Sequence, residues 1–354
     1  MDDEQRTTPR SSAQLARGTL IGLGFSVLGL YAVLRITGGH GSWAELVQIE
    51  PMTLAMASGL MLLTRLIDSL RMKLLSHSLG GKLRILDGIR ISILGTFASN
   101  VTFFGSAGGP MQIYFLTCSG LTVGQSTALV ATKSLCSTFG RLTLGLVASI
   151  WLFGFVDTWT LPKAMHIVLR IGIILYFAGL ALFLYLIMHP DKIRVLIAPL
   201  IRNRLTLRFF KSEKLDAILQ WIDQELREFH SALLTFTRSE RSTLWKVTML
   251  SYAWWITLTT VPAVILLGLG MQPRFIQVMA VALIFYLAAS YAPTPGSSGA
   301  AELGFAALFS SIVPHDLIGL FVGTWRVFTY FLNLLAGGVL IAMGIIRRST
   351  LPAD

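Results

Sequence analysis

The residues with the clearest capacity for chemistry are ionisable side chains inside long apolar segments. Glu302 follows a Pro/Gly-rich break by three residues, and Arg326 lies 24 residues beyond it. An isolated charge in apolar surroundings is costly, so such groups usually face a cavity or a partner. Glu302 can act as a titratable carboxylate or can cap the helix that starts at the break. Arg326 can pair with Glu302 or hold a phosphate group by its two-pronged fork, and Tyr330 lies one turn further on.

A second set of charged side chains occupies the first half of the chain. Lys133 and Arg141 are eight residues apart and therefore share one face of a helix. They are predicted either to form the basic wall of an anion-binding cavity or to anchor the helix at a membrane interface. Arg65 and Asp68 are three residues apart, a spacing that predicts a local ion pair.

Polar residues also flank a glycine-rich break at Gly105–Pro110. Asn100 and Gln112 are predicted either to satisfy backbone groups that the break leaves free or to contact a ligand. The backbone amides of Gly108 and Gly109 can bind an anion if the following helix points its N-terminus into a cavity. The sequence contains no motif of soluble hydrolases, nucleotide-binding proteins or zinc proteases, so we expect no catalytic residue, metal or cofactor.

The composition places these residues in a membrane protein. The chain has 354 residues, of which 54% are hydrophobic and 13% are charged, against about 25% charged residues in a soluble domain. The net charge of +11 is concentrated in two loops and at the termini, which is typical of a membrane orientation signal. Nucleic acid is therefore not an expected partner. The two cysteines, Cys118 and Cys136, predict neither a disulfide nor a metal site.

The basic loops predict the orientation of the chain. Segment 71–90 and loop 189–244 are rich in Lys and Arg and are predicted to be cytoplasmic. Loops 37–50 and 156–164 hold almost no Lys or Arg and are predicted to face outside. About six full membrane spans are consistent with these predicted loop orientations. They are 18–36, 51–70, 122–155, 165–188, 245–269 and 316–346.

Two apolar segments are broken in the middle and are predicted to turn back inside the bilayer. Residues 91–121 contain the first break, and residues 275–313 contain the second. Irregular backbone at this depth is tolerated only where protein or water covers it. The two hairpins would enter from opposite faces, which is the pattern of an inverted-repeat transporter. The residues expected to make the breaks are Gly108, Gly109, Pro110, Pro293, Pro295, Gly296 and Gly299.

The predicted fold class is all-α, a polytopic membrane helical bundle in which residues 18–346 form a single domain. Within the cytoplasmic insert 189–244, apolar residues recur at helical spacing over 215–236. That stripe predicts either a helix lying on the bilayer surface or a regulatory or partner-docking helix. The tails 1–17 and 347–354 are predicted to be cytoplasmic.

Two stretches of the sequence are similar to a known family. The chain resembles the lysylphosphatidylglycerol synthase transmembrane-region family, also called the flippase-like family, at Gly105-Ser-Ala-Gly-Gly-Pro-Met-Gln-Ile-Tyr114 and at Pro293-Thr-Pro-Gly-Ser-Ser-Gly-Ala-Ala-Glu302. Members typically show Pro-Thr-Pro-Gly-Gly-x-Gly-x-x-Glu at the second stretch, so Ser297 stands where a glycine is usual. Many members carry Gly-Glu at the first stretch, where this sequence has Gly109 followed by Pro110. Arg326 and Tyr330, downstream, belong to the same resemblance.

The resemblance implies a protein that handles polar or polyprenyl lipids in a bacterial inner membrane. The family's synthase activity belongs to a separate soluble domain after the bundle, so this chain resembles a stand-alone member without aminoacyl transfer. We expect a lipid flippase for an anionic or glycosylated headgroup. A membrane enzyme acting on a lipid-linked substrate and an ion-coupled small-solute transporter are the alternatives. Membrane lipids are the expected partners, with a second copy of the chain or a separate lipid-modifying enzyme beside them. The expected headgroup residues are Glu302, Arg326, Arg141, Lys133, Asn100, Gln112 and Tyr330.

Overall fold

A computed structural model describes residues 50–155, 224–236, 240–289 and 294–342, together with Ala181 and Tyr185. Every regular element within these ranges is helical, so the predicted all-α class is confirmed. Most of the two predicted spans at 18–36 and 165–188, both tails and Pro293 lie outside the described residues. The helices are α1 (Pro51–Ser78), α2 (Ile85–Val101), α3 (Gly108–Cys118), α4 (Val123–Phe155), α5 (residues 224–236), α6 (Arg241–Gly268), α7 (Phe275–Ala289), α8 (Ala300–Phe309), α9 (Ile318–Arg326) and α10 (Leu332–Ala342).

Four helical stretches in the described part are long and apolar enough to cross a membrane. They are Pro51–Ser78, Val123–Leu152, Arg241–Gly268 and Ile318–Ile341. The last of them joins α9 to α10 through a π-helical turn, Val327–Phe331. These four stretches coincide with four of the spans expected from the sequence, and the chain is a polytopic membrane bundle.

Helix α1 extends eight residues beyond its predicted end, from residue 70 to Ser78. The basic pattern predicted a loop at Arg71 and Lys73, but both residues are helical, and Arg71 is buried. The prediction was wrong for Arg71 because this charge finds its partner inside the bundle, at Asp68 one turn earlier on the same helix.

The first broken segment is a helical hairpin made of α2 and α3. A Cβ atom on Gly95 would lie 2.6 Å from Nε2 of Gln112, and one on Gly108 would collide with the Ser99 hydroxyl. Later residues of α3 therefore face earlier residues of α2, which means that the two helices run antiparallel. A side chain at either position would displace its neighbour on the other helix, so the two helices pack closely at these glycines. The hairpin spans residues 85–118, rather than the predicted 91–121.

The second hairpin, α7 and α8, is joined by the other break and ends at Phe309 rather than at the predicted residue 313. Phe285 of α7 meets Phe305 of α8 edge to face, with ring centroids 5.0 Å apart. Phe305 also stacks on Trp325 of α9 at 4.0 Å. An aromatic core therefore fixes this hairpin against the last membrane-crossing stretch.

Both breaks have the same backbone form, and they touch each other. Each contains a short 3₁₀ turn with two successive residues at positive φ, namely Phe104 (55°) and Gly105 (63°) in the first and Gly296 (59°) and Ser297 (56°) in the second. A Cβ atom on Gly296 would lie 3.1 Å from the carbonyl oxygen of Asn100. The tips of the two hairpins therefore meet inside the bundle.

The order of elements recurs about 190 residues later in the chain. Helices α1 and α6 are both 28 residues long, and each is followed by a glycine at positive φ, Gly80 (80°) and Gly270 (76°). A hairpin and a long helical stretch come next in both halves. The side chains of Ser78 and Thr243 are 3.3 Å apart, and those of Arg71 and Ser251 are 3.2 Å apart, so α1 and α6 pack antiparallel.

Within segment 189–244, which was predicted to be a cytoplasmic insert, the structure describes residues 224–236 and 240–244, and the first of these ranges forms helix α5, which packs on the bundle. Phe229, Ala232 and Phe236 are buried in the same apolar cluster as Phe115 and Leu116 of α3. Within this part of the predicted 215–236 helix, Phe229 of the apolar stripe is covered by protein, and a location on the bilayer surface stays a prediction.

Candidate functional site

A cavity of about 330 Å³ lies beside the point where the two breaks meet. Three arginines reach its wall, Arg65 from α1, Arg141 from α4 and Arg326 from α9. Asn100 and Gly296 line it from the two hairpins. Much of the remaining wall is aromatic, formed by Trp254, Phe285, Tyr286, Trp325 and Tyr330.

The cavity lies near the middle of the membrane-crossing helices. Arg65 is halfway along α1, about 20 Å from either end at 1.5 Å per residue. Trp254 is halfway along α6, and Arg141 is close to the middle of α4. Because the hydrocarbon core of a bilayer is about 30 Å thick, helices of this length that cross it centrally would hold these polar groups near its midplane.

Arg326 and Glu302 form a buried ion pair at the edge of this cavity. Nε of Arg326 donates to Oε1 of Glu302 at 2.8 Å, and the two side chains are 5% and 0% exposed. The other carboxylate oxygen accepts the backbone N–H of Gly299 at 2.6 Å, at the start of α8. Glu302 therefore both caps its helix and pairs with Arg326. The terminal nitrogens of Arg326 reach the carbonyl oxygen of Gly296 at 3.3 and 3.4 Å, and its guanidinium lies 4.9 Å from the ring centre of Tyr330.

Arg65 contacts neutral partners. One terminal nitrogen donates to Oγ1 of Thr96 at 2.6 Å, and the other donates to Oδ1 of Asn333 at 2.7 Å. These bonds join α1 to the first hairpin and to α10, and they hold a full positive charge at the cavity wall. The predicted local pair between Arg65 and Asp68 was wrong, because Asp68 is bound by other cations.

Arg141 is held against the second hairpin. It donates to the carbonyl oxygen of Tyr286 at 3.2 Å and lies 5.3 Å from the ring centre of Trp255. Contact with an aromatic face stabilises a guanidinium where water is scarce. The cation is thus positioned by α6 and α7 and directed to the same cavity as Arg65.

A second polar cluster lies next to the cavity but does not line it. Asp68 receives Arg71 at 2.6 Å and Lys133 at 3.2 Å, and Lys133 also donates to Oε1 of Gln112 at 2.8 Å. All of the charged members are buried. The expectation that Lys133 and Arg141 form one wall was therefore wrong, because Lys133 turns to α1 and the first hairpin instead. Arg71 lies 5.4 Å from the ring centre of Trp254, so this aromatic ring separates the cluster from the cavity.

The residues expected at the breaks divide between the two hairpins. Gly296 lines the cavity, Gly299 precedes α8, and Pro295 begins the 3₁₀ turn. Gly108, Gly109 and Pro110 form the first turn of α3 and do not line the cavity. The helix start that faces the cavity therefore belongs to the second hairpin, which contributes Ala301 to the wall, rather than to the first.

Several site residues escape prediction from the sequence. The spacing of Arg65 predicts only a pair with Asp68, which the structure does not contain. The abundance of Lys and Arg in segment 71–90 predicts that Arg71 lies in a loop. Trp254 gives no signal beyond its occurrence in an apolar segment, and Asn333 gives only its position after Arg326 on the same predicted span. The signal that is available for Arg65 is its position, since a charge halfway along a 28-residue apolar helix cannot reach water at either end.

Comparison with known proteins identifies the family. The family model of the lysylphosphatidylglycerol synthase TM region matches residues 19–337. The chain belongs to this family. It is also similar to a UPF0104 membrane protein of Archaeoglobus fulgidus, with 25% identity over 328 residues that cover 93% of this chain and 97% of the relative. The match to the family includes both hairpins and the cavity, so the resemblance seen in the two break motifs is confirmed.

Proposed function

We propose that this protein moves a lipid with an anionic headgroup across the bilayer and binds that headgroup in the cavity between the hairpins. The observation that carries the proposal is a mid-membrane cavity whose wall holds Arg65, Arg141 and Arg326. Charged groups are maintained at such a depth at a cost of several kcal/mol, and they usually mark a substrate path. A cavity of about 330 Å³ is at the small end of ligand sites, roughly 300–1,000 Å³. It suits a headgroup whose acyl chains remain in the surrounding lipid.

The charge balance of the deep groups supports an anionic cargo. In the described residues, the buried and cavity-lining set contains the cations Arg65, Arg71, Lys133, Arg141 and Arg326 and the acids Asp68 and Glu302. Five cations against two acids leave a formal charge of +3. A bound phosphate group would offset part of that charge, and the guanidinium fork matches its oxygens.

The repeated element order supports a transport mechanism. Helices α1 and α6 occupy equivalent places in the two halves and run antiparallel, which is the relation expected between the halves of an inverted repeat. In this proposal the two hairpins are re-entrant and open from opposite faces, with their tips meeting at the cavity. Transporters of this architecture bind substrate at the interface of the repeats. Both termini are proposed to be cytoplasmic, in a plasma membrane.

Lipid translocation in liposomes tests the proposal. Purified full-length protein would be reconstituted with a trace of phosphatidylglycerol that carries a fluorophore on one acyl chain, and dithionite would report the accessible fraction. We expect the fluorescence of the inner-leaflet lipid, which dithionite cannot reach directly, to be lost rapidly only in vesicles that contain the protein. Arg65→Gln and Arg141→Gln should slow this loss, whereas Arg84→Gln and Arg274→Gln, which change exposed arginines, serve as matched controls. Translocation at the rate of protein-free vesicles would contradict the proposal.

Glu302→Gln and Arg326→Ala test the assignment of the buried pair to the same site. We expect both variants to translocate more slowly than the wild type, because either change alters the position or the charge of the guanidinium. Unchanged rates in two folded variants would remove this pair from the headgroup site.

A small phosphorylated solute is a second candidate cargo, because the cavity volume alone would also fit such a molecule. Uptake of radiolabelled glycerol phosphate into the same vesicles separates the two cases. An enzyme is not proposed, since Glu302 and Asp68 are both bound to cations and serve in ion pairs.

A further inference from the structure

The described part of the cavity wall provides positive charge and offers no carboxylate to a cation. Among the described residues that line it, Arg65, Arg141 and Arg326 are cationic, and none is Asp or Glu. A ligand that enters therefore meets guanidinium groups and aromatic faces. An ammonium group would find only neutral oxygens and aromatic faces among these described residues, and two of those faces, Trp325 and Tyr330, already contact Arg326.

The two deep acids nearest the cavity are both engaged. Glu302 accepts Arg326 on one oxygen and Gly299 on the other. Asp68 accepts Arg71 on Oδ1 and Lys133 on Oδ2. An ammonium group would have to break one of these buried bonds to find a negative partner. Removing a partner from a buried charge is strongly unfavourable.

Several neutral groups at the wall are donors that need an acceptor, and those of Asn100 and Trp254 are two of them. Nδ2 of Asn100 and Nε1 of Trp254 are buried, and neither has a hydrogen-bond partner among the described residues. Both residues line the cavity. Buried donors are almost always paired, and the indole N–H can only donate. A ligand rich in acceptor oxygens would satisfy both of them.

We propose that the cavity selects headgroups that are phosphate esters without an amine, and that it excludes ethanolamine and aminoacylated headgroups. The phosphate oxygens accept from Arg65, Asn100 and Trp254, and uncharged hydroxyls fill the remaining space. This inference rests on the proposed function, but it concerns the choice of headgroup and can be tested by binding alone. It distinguishes the chain from any transporter whose cargo carries a lysyl group.

Competitive lipid binding tests the selectivity. Purified full-length protein in detergent would be mixed with equal amounts of phosphatidylglycerol, phosphatidylethanolamine and lysyl-phosphatidylglycerol that share the same acyl chains, and native mass spectrometry would report the bound fractions. Because like charges repel at close range, an ammonium group beside the cavity arginines is disfavoured, and we expect a preference of at least about tenfold for phosphatidylglycerol. Equal binding, or a preference for either amine-bearing lipid, would overturn the proposal.

A charge change at the wall provides an internal check. Asn100→Asp replaces a donor by a carboxylate of nearly the same size, and it should reduce the preference for phosphatidylglycerol over phosphatidylethanolamine to less than a third of its wild-type value. Gln272→Glu makes the same kind of change at an exposed position and should leave the preference unchanged. A shift of equal size in both variants would show that the overall charge of the protein, rather than the cavity, sets the selectivity.

The transport and binding results have separate meanings. Selective binding without translocation would support the headgroup inference and contradict lipid transport. Translocation of all three lipids at one rate, with equal binding, would support transport and overturn the selectivity. Soluble glycerol phosphate identifies the source of the phosphate ester. If it competes with phosphatidylglycerol at equal concentration, the phosphate ester alone accounts for recognition, and the claim that a lipid is selected is overturned.

Discussion

Arg326 binds Glu302 through Nε, and its two terminal nitrogens point to the backbone of the break at Gly296. One guanidinium therefore connects the start of α8, the tip of the second hairpin and the π-helical turn that follows α9. The acid fixes the orientation of the fork while leaving its outer edge at the cavity wall. Breaking this contact should alter both the stability of the fold and the position of the charge.

Glu302→Gln should destabilise the protein markedly. The amide keeps the shape of the side chain but leaves the buried guanidinium without a counter-charge, and loss of one partner of a buried pair costs about 3–5 kcal/mol. Urea unfolding in mild detergent would measure the change. Asp87→Asn is the matched control, because the Asp87–Arg90 pair is largely exposed and should contribute less than about 1 kcal/mol. Equal losses in the two variants would contradict the role given to the buried pair.

Asp68→Asn should be more damaging than Lys133→Met. The first change leaves Arg71 and Lys133 close together with no anion between them, with an expected cost of about 3–5 kcal/mol. The second leaves the Arg71–Asp68 pair intact and removes only one cation and its bond to Gln112. Unfolding midpoints of the single and double variants form a cycle, and the double variant should recover part of the loss. A strictly additive double variant would argue against direct coupling of the two charges.

Gly296→Ala should separate the two hairpin tips. A Cβ atom there would collide with the Tyr330 ring and lie 3.1 Å from the carbonyl oxygen of Asn100, at a backbone φ of 59°. The backbone strain alone costs about 1–3 kcal/mol, and thermal unfolding should occur at a lower temperature. Gly109→Ala is the control, because a Cβ atom at that position would meet nothing within 4 Å. If Gly296→Ala unfolds like the wild type, the tips are not in contact as described.

Ser297→Gly should stabilise the second break. Ser297 has a φ of 56°, and an L side chain in this left-handed region costs roughly 1–2 kcal/mol that glycine avoids. Ser297→Ala removes the hydroxyl but retains the Cβ atom, so the difference between the glycine and alanine variants isolates the backbone contribution. A glycine variant no more stable than the alanine variant would show that the break carries no strain at this residue.

Gly124→Ala should displace helix α5 from the bundle. Its Cβ atom would collide with the backbone oxygen of Glu225 and with the side chain of Glu228, where the Gly124 N–H is bound by Glu225. Hydrogen exchange of residues 224–236 should become faster, while α6 remains protected. Gly59→Ala, which meets nothing within 4 Å, should leave exchange in α5 unchanged, and α5 exchange as slow as in the wild type would contradict the docking.

The sequence was most informative where individual residue types restrict the backbone conformation locally. Glycine and proline made both breaks visible, and the family pattern marked Ser297 as an unusual residue at a position that the structure gives a positive φ. The lengths of the apolar segments predicted the long helices in the described part of the chain. These features depend on neighbouring residues, so that a pattern along the chain can reveal them.

Long-range pairing was harder to predict, because it depends on how the helices pack. Helical spacing puts Lys133 on the cavity wall with Arg141, yet its partner is Asp68, 65 residues earlier. The same kind of spacing pairs Arg65 with its sequence neighbour, although Asn333 holds it from 268 residues away. Helical spacing shows which residues share a face, but it does not show which other helix that face meets.

Helix α1 contains both the buried base Arg71 and its acid Asp68, which are only one turn apart. The other partners follow much later in synthesis, Lys133 after 65 residues and Ser251 after 180 residues. At about 5–20 residues per second, Lys133 is synthesised roughly 3–13 s after Asp68, and Ser251 is synthesised roughly 9–36 s after Arg71. During that interval Arg71 is already paired with Asp68, whereas Arg65 on the same helix meets Thr96 only 31 residues later and Asn333 only 268 residues later. Arg326 reaches its acid by a shorter route, because Glu302 precedes it by 24 residues and is already in place when the last stretch inserts.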